Sequence, residues 1–570
     1  MLTRSIPLPK LFICLRDGYS LGTLTSDVIA GVTVGLVALP LAMAFAIASG
    51  VPPQNGIYCA IVAGFAISAL GGSRVQIGGP TGAFVVVVSG IVATHGIEGL
   101  FVCTLMAGVM LMLLGITGLG AAVKFIPRPV VIGFTNGIGV LIASTQIKDL
   151  FGLDTGEVPG EFIGRMRVLA AAAPSVSITS TAIGVITIAI ILILRRVSRR
   201  IPGSIIVLLA GTAAVFIAGL ETETIGSRFG DIPTGLPKVH VPTFRPDLIL
   251  TLLSPALTVA MLGAIESLLS AVVADRMSGD RHDPNVELTA QGVANVLSPL
   301  FGGLPATGAI ARTATNIRSG GRTPVAGMTH ALTLLLVLIF AAPLARHIPL
   351  AMLAGILMIV ALDMGEWLEI PEVIKLGPAE AAVWSITFAL TVLADLTVAV
   401  EAGMILAALL YIRRVTNTTT VTRVTPDYIR HGRPHSLQLQ QIPENVAIFR
   451  IHGPFLFGST DKLLDLERDV ASLPKVVVLR LRNMTAIDAS GLHALEHLAD
   501  VLHESGRSLL LCGMRDQPAR MMERADFHDH IGRDNLLPSV EAALERARMV
   551  LGQTGRDHTT PGTGLPVPVR

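Results

Sequence analysis

The chain has 570 residues, of which 51% are hydrophobic and 15% charged, with a formal net charge of +2. A mean hydropathy of +0.66 with no basic stripe excludes an ordinary soluble domain and a nucleic-acid binder, and fits a polytopic membrane protein. Glycine is abundant at 57 residues and aromatics make up 4%, a balance that allows close helix–helix approach in lipid. Cys14, Cys59, Cys103 and Cys512 are scattered without metal or redox spacing, so no disulfide, metal or cofactor is expected.

Residues 1–26 carry Arg4, Lys10, Arg16 and Asp17 and have no long apolar core, so they read as an N-terminal cytoplasmic segment rather than a cleaved signal. Apolar runs then fill residues 27–414, starting with Asp27 to Ser49. At about 20 residues per span they give about fourteen crossings, counting two broken ones. Arg195-Arg196, Arg199-Arg200 and Arg413-Arg414 are the strongest cytoplasmic markers, with Lys124 and Arg128 on the same side. An even count puts both termini in the cytoplasm of a bacterial inner membrane.

One broken segment is Gly78-Gly79-Pro80-Thr81-Gly82-Ala83-Phe84 and the other is Pro305-Ala306-Thr307-Gly308-Ala309-Ile310. Their Thr-Gly-Ala triplets lie 226 residues apart, and the same shift carries Pro40 to Glu266. The first and eighth helices are therefore repeat mates, and an odd number of helices per half makes the halves inverted, seven plus seven. Interrupted segments at matching positions are the sequence pointer to a transporter's substrate site. The extended parts, Ser73–Gly79 and Gly303–Thr307, enter the membrane first, and the helices are expected to begin near Pro80 and Gly308. Their free N–H groups and positive dipole ends then converge near the midplane. Such backbone is tolerated at that depth only if buried or lining a cavity. Thr81, Gly82, Ala83, Thr307 and Gly308 supply these ends.

Arg312 lies one turn into the second half-helix, and an intramembrane cation there suggests an anionic substrate. The chain thus reads as a secondary anion transporter. Glu266 carries the one charge between Asp247 and Asp275. A carboxylate so placed pairs with a cation or takes a proton. Arg312 is the expected partner: ionised Glu266 competes with the anion for it, and protonation releases it. The bland alternative is a structural ion pair. Asn136, Gln146, Asn295 and Asn316 are expected to bond across helices, and His330 to pack between them.

Residues 415–440 are polar and β-branched, a linker. From 441 to 552 the pattern becomes soluble α/β, with strands at Val446–Ile451, Val476–Leu481 and Ser508–Cys512. Helices are expected at Thr460–Ala471, Ser490–Ser505 and Pro518–Ala525, and residues 553–570 read as a disordered tail.

The motifs Leu39-Pro40-Leu41-Ala42-Met43-Ala44-Phe45-Ala46, Ile77-Gly78-Gly79-Pro80-Thr81-Gly82, Gln291-Gly292-Val293-Ala294-Asn295 and Gly302 through Thr313 resemble the SulP family of sulfate permeases and anion exchangers, over about residues 20–550. The resemblance implies core and gate domains moving as an elevator, a homodimer in lipid, and a cytoplasmic C-terminal STAS domain with its own cytoplasmic partner. It places Ala42, Phe45, Phe84, Glu266, Ala309 and Arg312 near the anion. Sodium-dependent bicarbonate transporters of this family carry aspartate at the Glu266 position and lack arginine at the Arg312 position. The Glu266/Arg312 set is instead similar to proton-coupled sulfate permeases and C4-dicarboxylate transporters. Ile487-Asp488-Ala489-Ser490-Gly491-Leu492 resembles the Asp-x-Ser-Gly turn of anti-sigma factor antagonists, where the serine is phosphorylated. Ser490 is read first as a plain helix cap. Sulfate, bicarbonate and fumarate-type dicarboxylates stay open as substrates. A nucleobase permease, a passive anion channel and a STAS signalling role are the competing readings. An enzyme is not expected.

Overall fold

The computed structural model describes residues 8–118, 120, 127–156, 158–197, 203–235, 239, 241–242, 246–394, 396–425 and 442–552. Lys124, Arg199, Arg200, most of the stretch read as a linker, and the tail lie outside them. The chain divides into two compact units, Met1–Ala407 and Ala408–Arg570.

In the first unit a short helix α1 (Lys10–Arg16) precedes α2 (Leu21–Ala48), α3 (Pro53–Leu70), α4 (Ala83–Ile116), α5 (Arg128–Phe151), α6 (Phe162–Ala171) and α7 (Ile178–Val197). Shorter helical pieces at Gly203–Ile217 and Ile225–Phe229 precede α8 (Pro246–Ser278), α9 (Pro284–Leu300), α10 (Ile310–Arg318), α11 (Pro324–Ala345), α12 (Leu350–Met364), α13 (Pro378–Leu393) and α14 (Leu396–Thr418), whose last residues belong to the second unit. Among the described residues eight helices are long and apolar enough to cross a membrane, and Gly203–Ile217 and Pro378–Leu393 are shorter apolar ones. The expectation of about fourteen crossings counts those short runs and the broken elements as well. One long helix counts twice, because α4 breaks at Gly96, whose φ is +69°. Its first part, from Ala83 to the break, is the first half-helix. The second half-helix is α10. Both begin two to three residues later than the Pro80 and Gly308 expected: Gly308 is held in a strand with Ala309 extended after it, and at the first break Gly82 forms a turn before the helix starts.

Those strands are β1 (Gly78–Gly79) and β2 (Thr307–Gly308), which pair antiparallel with Gly78 opposite Gly308 and Gly79 opposite Thr307. The repeat thus meets itself backbone to backbone. The two-stranded ladder satisfies polar groups that water cannot reach. Small residues let the helices close around it: Gly108 of α4 and Gly292 of α9 back onto each other with no room for a Cβ on either.

In the second unit β3 (Thr420–Arg423), β4 (Val446–Phe455), β5 (Val476–Ile487), β6 (Ser508–Cys512) and β7 (Leu536–Leu537) form one sheet in that order, β3 antiparallel and the rest parallel. Strand periodicity sends Ala447, Phe449 and Ile451 to one apolar core and Val446 and Ile448 to another. The helices are α15 (Asp461–Arg468), α16 (Ala489–Glu504), α17 (Asp516–Arg524), α18 (His528–Ile531) and α19 (Val540–Val550). The first two expected strands run on to Phe455 and Ile487, and the third keeps the expected bounds Ser508–Cys512. β3, at the start of the presumed linker, together with β7 and α19, escaped the sequence reading. β3 and β7 are short edges, and β3 carries polar residues.

Candidate functional site

The two half-helices start from one place. The N–H groups of Gly82 and Ala83 at the first, and of Ile310, Ala311 and Arg312 at the second, have no protein partner among the described residues. They are the orphan donors of two helix N-termini, a ready-made anion site. The extended residues before α10 are already engaged. Ala309 N–H donates to Ile77 C=O at 2.8 Å, and Gly308 N–H donates to Ser267 Oγ at 3.2 Å.

Arg312 is 3% exposed. Its guanidinium donates to Pro80 C=O and lies against Gly79, where a Cβ would collide with it. Gly79 also has φ +142°, so both the close approach and the backbone demand glycine. The expected Glu266–Arg312 pair is not formed: the Glu266 carboxylate instead accepts from Thr81 Oγ1 at 3.1 Å. Arg312 sits on the buried side of α10 with Thr313 and Asn316, a direction set by helical phase and invisible to a count of charges.

Thr307 is also committed to protein. Its hydroxyl donates to Gly263 C=O at 3.2 Å and lies 2.6 Å from Ser267 Oγ. Phe45, Ile142 and Met364 close over Gly82, and Phe84 faces Gly263, one turn before Glu266. Ala42 is buried one turn before Phe45, with its carbonyl packed on Gly56. Ala83 is fully buried at the first helix start. Glu266 is half-buried.

Gln76 and Thr313 escaped the sequence reading, while Asn295 and Asn316 take partners of a different kind. Gln76 Nε2 donates to Ser267 C=O at 3.1 Å, Ile77 N–H to Thr313 Oγ1 at 3.0 Å, and Asn316 Nδ2 to Val75 C=O at 2.9 Å. Asn295 holds Ala306 through both its N–H and its C=O, each at 2.8 Å. Asn295 and Asn316 thus bond the backbone of the broken segments and not a second helix, and Gln146 donates to Thr145 of its own helix, against the expectation of bonds across helices. Asn136 accepts from Trp384 Nε1 at 2.9 Å. His330 is fully buried and packs beside Gly64.

In the C-terminal unit the helix cap moves. Asp488, not Ser490, is the N-cap of α16, accepting from Gly491 N–H at 2.8 Å. Ser490 is exposed in the first turn, beside a cavity of about 610 Å³ lined by Ala489, Leu492, Gln517, Arg520, Met521 and Arg524.

A helical membrane unit broken at two paired N-termini defines an integral, multi-pass transport protein rather than an enzyme. Residues 24–387 match the sulfate permease family and residues 437–543 match the STAS domain, so the chain belongs to the sulfate permease family of anion transporters and carries a C-terminal STAS domain. It is 41% identical over 521 residues to the putative sulfate transporter YvdB of Bacillus subtilis, covering 91% of this chain and 97% of that one. It is 31% identical over 540 residues to the bicarbonate transporter BicA of Picosynechococcus, covering 92% and 94%. The structure of SLC26A9 shares the fold, with a TM-score of 0.84 at 17% identity and coverage of 96% and 94%. The transmembrane domain of a cyanobacterial BicA superposes with a TM-score of 0.61 at 35% identity, covering 67% of this chain and 98% of that one.

Proposed function

We propose that the chain is a secondary active transporter of a small oxyanion, sulfate first, coupled to a proton through Glu266. The observation that carries this reading is the pairing of Gly78-Gly79 with Thr307-Gly308. It aims two helix N-termini at one spot beside a buried arginine. The free N–H groups of Gly82, Ala83, Ile310, Ala311 and Arg312 supply donors, and the dipole ends and the Arg312 charge supply the field. Phe45 and Phe84 shape the apolar wall.

Coupling runs through Thr81. Ionised Glu266 takes the Thr81 hydroxyl hydrogen. Protonated Glu266 carries its own hydrogen, and the Thr81 hydroxyl is then released towards the anion. Anion binding and protonation favour each other, by reciprocity. The wider reading has two inverted seven-helix halves, core and gate domains moving as an elevator, and a homodimer in a bacterial inner membrane. The transport domain is 27–414 and the STAS domain 441–552, both termini are cytoplasmic, and Ser490 is a regulatory position. The 41% identity to YvdB supports sulfate. Bicarbonate is the second reading, supported by the likeness to BicA. C4-dicarboxylate is the third.

The test is uptake of labelled sulfate, bicarbonate and fumarate into proteoliposomes, with and without a pH gradient and with and without sodium. Sulfate uptake that rises with external acidity and ignores sodium is expected. Sodium-dependent, pH-independent uptake of bicarbonate overturns the proton reading.

A further inference from the structure

Two loops bearing arginines meet at one end of the membrane unit, and a fully buried carboxylate staples the backbone of each. Glu287 accepts from Gly72 N–H at 2.9 Å and Ser73 N–H at 3.2 Å, just before Arg74. Asp27 accepts from Arg322 N–H at 2.7 Å and Thr323 N–H at 3.2 Å. Between the loops lies a cavity of about 390 Å³, lined by Arg74, Val75, Asp280, Ile317 and Arg322 among others.

The charges around it do not cancel. Asp280 is already shared by Lys10 Nζ at 3.0 Å and Arg74 Nε at 3.2 Å, and Asp17 lies 3.7 Å from the Arg74 guanidinium. Among the residues that line the cavity, Arg74 and Arg322 face the single carboxylate Asp280, while Asp27 and Glu287 are turned to the loop backbones. The Arg322 guanidinium is exposed and has no partner among the described residues; only its backbone is bonded.

We propose that this cavity is a second anion site, separate from the half-helix site, and that it takes a sulfate- or phosphate-type oxyanion, either free or as a phospholipid headgroup. Arginine forks suit such oxygens, and backbones fixed in advance leave little to reorganise on binding. The volume falls in the range of small-ligand pockets, roughly 300–1,000 Å³. Asn316 ties Val75 to the second half-helix, so an ion between Arg74 and Arg322 joins the roots of both broken elements. Arg312 takes no part, so this inference does not rest on the transport reading.

The test uses the purified full chain in detergent and equilibrium dialysis with labelled inorganic phosphate. Parent and Arg312→Ala are expected to bind it saturably. Arg74→Gln and Arg322→Gln should each weaken binding at least tenfold, while Arg276→Gln, an exposed arginine outside the cavity, leaves it unchanged. Arg74 has a bracing role, so Arg322→Gln decides the matter if Arg74→Gln does not fold. In nanodiscs, competition by phosphatidylglycerol that Arg322→Gln abolishes assigns the site to a lipid headgroup. Its failure to compete assigns the site to the free ion. Unchanged phosphate binding in Arg322→Gln, or no saturable binding in the parent, overturns the proposal.

Discussion

One Thr-Gly-Ala triplet lies in the two-stranded ladder and the other just past it, and their threonines do different work. Thr81 bonds to the carboxylate of Glu266, and Thr307 bonds to the carbonyl of Gly263 and the hydroxyl of Ser267. Both grip the same helix, α8, at adjacent residues. The repeat fixes the backbone, and a single step along α8 fixes the chemistry. One side meets a carboxylate, and the other meets a carbonyl and a hydroxyl. Under the proposed coupling, the first half would respond to protons and the second would hold.

Removing the charge that serves both sides should have the largest effect. Arg312→Ala loses hydrogen bonds from a charged group, worth about 1.5–3 kcal/mol, so anion affinity should fall roughly 10- to 150-fold. Uptake kinetics, with size-exclusion chromatography as the folding check, measure this. Unchanged affinity in folded protein would refute the site. Glu266→Gln comes next. It should keep anion exchange but lose acceleration by an imposed proton gradient, because the amide cannot titrate. Thr81→Val tests the link itself. The pH response should flatten while affinity falls about 3- to 10-fold, the net worth of one hydrogen bond. If the pH profile of Thr81→Val matches the parent, coupling does not pass through this hydroxyl.

Thr307→Val is the counterpart. It removes one of the two partners of the buried Ser267 hydroxyl, leaving only Gly308 N–H, and should cost about 1–3 kcal/mol of stability. The pH profile of uptake should not move, and thermal unfolding in detergent reads the loss. A shifted pH profile here would erase the distinction between the halves. The smallest effect lies in the C-terminal unit. Asp488→Ala should destabilise it by about 0.5–2 kcal/mol through loss of the α16 cap, and Ser490→Ala should do much less. Equal losses would mean that Ser490 also supports the helix.

Much of this was legible in the chain. Paired Gly/Pro breaks announce themselves because few residues permit extended backbone inside a membrane. A lone Glu266 and a lone Arg312 stand out among apolar neighbours for the same reason. Their failure to meet was not legible. Whether two charges touch depends on the rotation of α10, and two extra extended residues before it turn that helix by about 200°. Ser267 gave no signal, since a serine within a helix usually bonds its own backbone. Asp488 and Ser490 are equally good cap residues, and composition cannot choose between them. The arginine cavity was hidden because its walls come from loops far apart in sequence.

The ladder at the centre of the membrane unit has a consequence for how the chain is made. Gly78 and its partner Gly308 are 230 residues apart. At the usual pace of synthesis, about 5–20 residues per second, the first strand waits roughly 10–50 s for the second to exist. During that interval its polar backbone groups are inside the bilayer, or held at its edge, without their final partner. The first half can therefore enter the membrane early, but it cannot finish. The proposed anion site would be assembled late, when the second half arrives to close a ladder that the first half left open.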